Sequence, residues 1–123
     1  MKFLVVDDSP TMRRIVNNSL KGLGYSDVVE AEDGKDALAK IEGIDFIITD
    51  WNMPVMTGLE FTKAVRSDDK YKHLPILMVT TRGVKDDIVE ALQARVNNYV
   101  VKPFTPTVLK EKIDMIIKSI STQ

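Results

Sequence analysis

Apolar residues fall into short unbroken runs along the chain: Phe3–Val6, Val28–Val29, Phe46–Ile48, Ile76–Val79 and Tyr99–Val101. Runs without polar alternation belong to strands covered on both faces, as in a parallel sheet between two helical layers. Between the runs, apolar positions recur at three- and four-residue steps, the period of a helix with one buried stripe. Met12, Ile15, Val16, Leu20 and Leu23 form the first stripe. Ser9 suits its N-cap, Pro10 its first helical position, and Leu23-Gly24 its end. Ala37, Leu38 and Ile41 mark a second helix. Leu59, Thr62 and Val65 mark a third, opening after Thr57-Gly58, and Ile88, Ala91 and Leu92 mark a fourth. Leu109, Ile113, Ile116, Ile117 and Ile120 give the last helix the clearest stripe. A strand followed by a helix, five times over, predicts an α/β fold with a parallel sheet, helices on both faces and right-handed crossovers.

Composition narrows the function. The 123 residues suit one domain, spanning 1–123, with one real core. A formal net charge of −1 argues against nucleic-acid and membrane-surface binding. The absence of cysteine excludes disulfides, thiol catalysis and Cys-based zinc sites. The one histidine, His73, stands before Leu74-Pro75 and reads as a solvated loop residue. The first apolar run stops at Asp7-Asp8, too short for a signal peptide, and nothing approaches the ~18 apolar residues of a membrane span. The expected location is the cytoplasm, and the expected state a monomer.

Open parallel sheets carry their sites at the carboxyl ends of the strands, a rule that already counts flavodoxin-like sheets among its examples. The residues just past the runs are Asp7 and Asp8, then Asp50, then Thr80, then Lys102. Three carboxylates gathered at one edge repel one another. A hard cation resolves the conflict, because Mg²⁺ takes oxygen ligands and keeps several waters. Asp50 can then attack phosphorus, since carboxylates form acyl phosphates. A cation on one side and Lys102 on the other would neutralise the phosphoryl oxygens, with the Thr80 hydroxyl as a further donor. Singly, each residue has a plainer role. Asp7-Asp8 suits a helix entry, Thr80 a strand, and Tyr99 a core aromatic. Met53-Pro54 and Gly58 suit a structural loop. Arg13 and Arg14 suit a solvated helix face, and Ile88 and Leu92 the core. The joint placement carries the inference.

Val5-Val6-Asp7-Asp8, Ile48-Thr49-Asp50-Trp51-Asn52-Met53-Pro54 followed by Gly58, Thr80 after Met78-Val79, and Val101-Lys102-Pro103-Phe104 resemble the receiver domains of bacterial response regulators. The likeness covers essentially the whole chain. Thr11-Met12-Arg13-Arg14-Ile15 and Tyr99 through Thr105 resemble the stand-alone chemotaxis branch of that family. The resemblance implies a flavodoxin-like (βα)5 doubly wound sandwich with strand order 2-1-3-4-5. It implies that Asp50 accepts a phosphoryl group and that Mg²⁺ is bound by the side chains of Asp8 and Asp50 and the backbone carbonyl of Asn52. Asp7 would assist through water or by orienting the metal shell. Thr80 and Tyr99 would move on phosphorylation, Lys102 would contact the phosphoryl group, and the Lys102–Pro103 bond would be cis. Trp51 would report on the site. The output face would include Ile88, Leu92, Tyr99, Lys112 and Met115.

The implied partners are a sensor histidine kinase of the chemotaxis type, a flagellar motor-switch protein and a phosphatase. The protein would catalyse its own phosphotransfer and dephosphorylation without turning over a separate substrate. The same site would equally serve a stand-alone phosphorelay intermediate or phosphate sink. A flavin or nucleotide binder on this fold would want a glycine-rich phosphate loop, which the sequence lacks. Arg82 departs from the acid common in the chemotaxis branch and would alter hydrolysis or phosphatase use. Thr81 is bulkier than usual. Arg95 replaces the usual glycine after the fourth helix, at a cost of roughly 1 kcal/mol if the backbone there is left-handed.

Overall fold

The computed structural model of the chain describes residues 1–80 and 85–121, with side chains described for 1–80 and 89–120. Thr81, Arg82 and the side chain of Ile88 lie outside the described residues. The elements alternate: β1 Phe3–Val6, α1 Pro10–Gly22, β2 Val28–Ala31, α2 Gly34–Ala39, β3 Phe46–Asp50, α3 Gly58–Ser67, β4 Ile76–Thr80, α4 Lys85–Gln93, β5 Asn98–Val101 and α5 Pro106–Ser121. All strand pairs are parallel, and the order is β2-β1-β3-β4-β5. This is the flavodoxin-like arrangement that the resemblance implied.

The continuous apolar runs are explained by burial on both faces. Leu4, Val6, Ile47 and Met78 point into one cluster with Trp51, Phe61 and Val65. Their strand neighbours Phe3, Val5, Ile48, Leu77 and Val79 point into another with Val16, Leu20, Leu109 and Ile113. Alternation along a strand sends successive side chains to opposite faces, and here each face has a helical cover. The register then fixes the site. Val6 pairs with Thr49, Asp50 with Val79, and Thr80 with Val101, so the carboxyl ends of β1, β3, β4 and β5 meet at one edge.

Ser9 caps α1 as expected, accepting the Met12 N–H at 3.2 Å, with Pro10 following. At α3, Thr57 and Glu60 form a reciprocal capping box. Several expectations shift. β2 extends through Glu30 and Ala31, and β5 begins at Asn98. Ile41 is buried but lies past the end of α2. Ile15 and Ile120 reach the surface at the edges of their stripes. Leu92 is not a core residue: Ala91 within α4 and Ala94 just past its end are buried, while Leu92 is 48% exposed.

Two residues other than glycine adopt positive φ, Val55 and Arg95, both at 69°. Val55 sits between the buried Met53 and an anchored Met56, whose carbonyl accepts the Gly34 N–H at 3.3 Å and whose own N–H donates to the Pro54 carbonyl at 2.7 Å. A β-branched side chain in this conformation clashes with its own backbone, and with 76% of Val55 exposed, burial offsets little of the cost. Val55→Asn should therefore stabilise the protein by about 0.5–1 kcal/mol, because Asn tolerates the left-handed region. Urea denaturation checks this; an unchanged or lowered midpoint would contradict it.

Candidate functional site

The carboxyl edge of the sheet gathers most of the residues singled out by sequence. Oxygen atoms of Asp7, Asp8 and Asp50 all lie within 4.8 Å of one another. Asp7 follows β1 and is buried, as is Asp50 at the end of β3; Asp8 is exposed. Lys102, just past β5, bridges the buried pair. Its Nζ lies 3.4 Å from Asp7 Oδ2 and 3.3 Å from Asp50 Oδ1. The Lys102 N–H also donates to the Thr80 carbonyl at 2.7 Å, which ties the lysine to the end of β4. Thr80 is fully buried. The Lys102–Pro103 bond is cis.

Burial pushes the Asp50 carboxyl above its ordinary value, and the neighbouring Asp7 charge adds to the rise. Burial likewise raises Asp7. The Lys102 cation and hydrogen bonds from Trp51 N–H to Asp50 (2.9 Å) and from Ser9 N–H to Asp7 (2.9 Å) oppose these shifts without cancelling them. The edge is therefore short of positive charge. Its donors are hard carboxylate oxygens, two of the three carboxylates desolvated, and this set fits a small divalent cation such as Mg²⁺.

The loop after β3 is shaped by close approach. The Gly58 N–H donates to the Trp51 carbonyl at 2.9 Å. Trp51 is buried beside Asp50, and Asn52 follows it at the surface. Farther along the edge, Tyr99 is half-buried, and Lys112 reaches it from α5. The Lys112 Nζ lies 5.7 Å from the Tyr99 ring centroid and 3.4 Å from Asn98 Oδ1. On the same elements, Val89, Leu92, Val101 and Met115 expose apolar surface.

Sequence reasoning missed Arg13. Its guanidinium is engaged by the protein and only 18% of the side chain is exposed: Nη1 donates to the Asp7 carbonyl and Nε to Glu30 Oε1 at 2.9 Å. It also missed the hold on the left-handed Arg95, whose carbonyl accepts two hydrogen bonds from Arg66, at 2.8 and 3.0 Å. No local spacing signals either contact.

Comparisons with known proteins agree with this geometry. The chain is 56% identical over 120 residues to chemotaxis protein CheY1 of Helicobacter pylori, covering 95% of this chain and 97% of that protein. The solved structure of chemotaxis response regulator CheY4 of Vibrio cholerae superimposes with a TM-score of 0.86 at 44% identity, covering 94% of this chain and 97% of that one. The receiver domain of the sensor histidine kinase PA1611 of Pseudomonas aeruginosa, solved with a magnesium ion coordinated in its active-site cleft, gives 0.84 at 29% identity. That match covers 95% of this chain and 97% of the PA1611 chain. Residues 3–114 match the response regulator receiver domain. With its sheet order, its carboxylate edge and these relatives in accord, the chain belongs to the response regulator receiver domain family.

Proposed function

We propose that residues 1–123 act as one phosphorylation switch of chemotaxis, with Asp50 as the phosphoacceptor. The observation that carries this is the convergence of buried Asp50, buried Asp7 and the bridging Lys102 at the carboxyl edge of the sheet. Asp7, Asp8 and Asp50, with the Asn52 backbone carbonyl, would hold Mg²⁺. When bound, the cation supplies charge neutralisation for the carboxylates and the phosphoryl oxygens.

Asp50 Oδ1 is engaged by the Trp51 N–H and by Lys102, which leaves the second oxygen as nucleophile. That oxygen forms a bond to phosphorus as the P–N bond of a phosphohistidine breaks, the bonding pair returning to the imidazole. No proton leaves the nucleophile, so no base is required. Lys102 is placed to turn from the carboxylates toward a phosphoryl oxygen, and the Thr80 hydroxyl donates to another. The protein modifies itself and then hydrolyses its own acyl phosphate, a rate that Arg82 and a phosphatase would tune.

Phosphorylation would draw Thr80 and then Tyr99 inward, changing the face formed by α4, β5 and α5. Its exposed Leu92, Val101 and Met115 suit an apolar partner segment, with Lys112 beside them. Ile88 belongs to the same proposed face. The donor would be a sensor histidine kinase, the receiver of the signal a flagellar motor-switch protein, and the compartment the cytoplasm. Among the described residues no helix is long and apolar enough to cross a membrane.

The test has two stages. Acetyl phosphate with Mg²⁺ should add one phosphoryl mass. A motor-switch peptide should then bind about tenfold more tightly to the beryllofluoride-activated protein, a bias of about 1.4 kcal/mol between two states. An unmodified mass would sink the phosphoacceptor reading. Phosphorylation with equal peptide affinity in both states would instead assign the chain to a phosphorelay or phosphate sink.

A further inference from the structure

Asp7 is gripped from several directions. Its N–H donates to the Ala31 carbonyl of β2 at 3.1 Å. Its Oδ1 accepts the Ser9 N–H, and its Oδ2 faces Lys102. Its carbonyl oxygen accepts Arg13 Nη1. The same guanidinium is paired through Nε with Glu30 on β2, so one planar group joins α1, the loop after β1 and the edge strand. The Arg13 side chain is 18% exposed, whereas Glu30 is 49% exposed.

Asp8 is held differently. Among the described residues it makes no side-chain hydrogen bond or ion pair. No polar partner fixes the direction of its carboxylate, so the backbone that carries it matters the more. The carbonyl that Arg13 grips belongs to the Asp7–Asp8 peptide, and the plane of that peptide sets where the Asp8 Cα, and hence its side chain, stands.

We propose that Arg13 is a positioning residue for the carboxylate edge: oriented by Glu30, it fixes the Asp7–Asp8 peptide and so aims Asp8 at the cation. The inference rests on the cation-binding reading given above. Arg13 touches neither the cation nor the phosphoryl group.

Charge and geometry predict opposite signs, which makes the role testable. Arg13 is a cation beside an acidic cluster. By Coulomb attraction alone, its removal would make the edge more negative and tighten Mg²⁺ binding. Loss of positioning would loosen the peptide and weaken it. Arg13→Lys separates the two further, because it keeps the charge but lacks the planar fork that serves two acceptors at once.

The experiment is a Mg²⁺ titration followed by Trp51 fluorescence and by calorimetry. It compares wild type, Arg13→Met, Arg13→Lys, Glu30→Gln and the Arg13→Met/Glu30→Gln pair, with folding checked by circular dichroism. Arg13→Met should weaken Mg²⁺ about tenfold and Arg13→Lys nearly as much, the size seen when outer-shell partners of metal ligands are removed. Glu30→Gln should weaken it about threefold, and the double variant no more than Arg13→Met, as expected of residues acting through one contact. Unchanged or tighter binding in Arg13→Met, or wild-type affinity in Arg13→Lys, would overturn the proposal. If Arg13→Met does not fold, Arg13→Lys and the exposed-site Glu30→Gln decide: wild-type affinity in either overturns it, weakened binding in both supports it. Wild type failing to bind Mg²⁺ at all would overturn the cation reading itself, a result distinct from equal binding by wild type and variants.

Discussion

Asp50→Asn should abolish phosphoryl incorporation and, at the same time, make the unphosphorylated protein more stable. The functional loss follows from the nucleophile. An amide oxygen does not form a stable acyl phosphate, and no other carboxylate at the edge combines burial with the Trp51 and Lys102 contacts of Asp50. The gain in stability follows from burial and from the Asp7 charge, which together raise the Asp50 carboxyl. An Asn side chain keeps an oxygen acceptor for the Trp51 N–H and removes the desolvated charge. In a domain of this size about 1 kcal/mol corresponds to roughly 5 °C in Tm, and a rise of that order is expected without Mg²⁺.

The sign with pH can be stated. A carboxyl whose folded pKa is raised binds its proton more tightly in the folded than in the unfolded state. Its penalty is full at neutral pH and is relieved as pH falls through the raised folded value. The stability difference between Asp50→Asn and wild type should therefore be largest near neutrality and shrink on acidification. Mg²⁺ should reverse the order by stabilising wild type more than the variant, because it binds the folded carboxylate edge. Mass spectrometry and thermal scans over a pH series check both halves. Retained phosphoryl uptake would exclude Asp50 as the acceptor, and a lower Tm without Mg²⁺ would refute the electrostatic argument.

Gly58→Ala should cost about 3 kcal/mol, more than a surface glycine substitution, because the obstacle is backbone. A Cβ at Gly58 would collide with the Asp50 carbonyl oxygen and press on the Asp50 carbonyl carbon at 2.9 Å and the Trp51 Cα at 3.0 Å. None of these atoms can rotate aside. The contrast is with Gly24 and Gly43, whose positive φ calls for glycine although a Cβ there would meet nothing within 4 Å. Relief would require α3 to draw back from the end of β3, breaking the 2.9 Å bond from the Gly58 N–H to the Trp51 carbonyl. The displaced peptide carries Asp50, so phosphorylation by acetyl phosphate should slow together with the loss of stability. Urea denaturation with an unchanged m-value would show the loss; a change under about 0.5 kcal/mol would mean that the loop yields easily.

The sheet was legible because its central strands are buried on both faces, which leaves an unmistakable apolar run. β2 was the exception for a physical reason. It is an edge strand with one neighbour, its Val28 and Val29 are only partly buried, and its polar Glu30 is paired with Arg13 and invisible as strand. The core reading of Leu92 failed because helical spacing gives a period and not an absolute phase, and the small Ala91, with Ala94 just past the helix, takes the buried position instead. Asp7, Asp8, Asp50, Thr80 and Lys102 could be placed because strand ends in a parallel sheet converge. Arg13 could not. Its partners lie 6 and 17 residues away in sequence, and only the pairing of β1 with β2 brings them to one guanidinium. Val55 gave no signal either, since a β-branched residue is the least expected occupant of a left-handed position.

Arg66 gives the far end of the molecule a different character. Its guanidinium donates to the carbonyls of Lys72, Leu74 and Arg95 and to Asn97 Oδ1, joining the end of α3 to the corner between α4 and β5. Every one of these acceptors is neutral. Exposed pairs such as Lys72–Asp69 and Lys118–Asp114 weaken as ions accumulate around them. These contacts contain no ion pair for salt to weaken, and the one charge that acts on Arg66 among the described residues, the Arg95 cation, repels it, so screening relieves strain there. The corner that carries the left-handed Arg95, and with it the approach from α4 to β5, thus loses none of its hold on Arg66 as ionic strength rises.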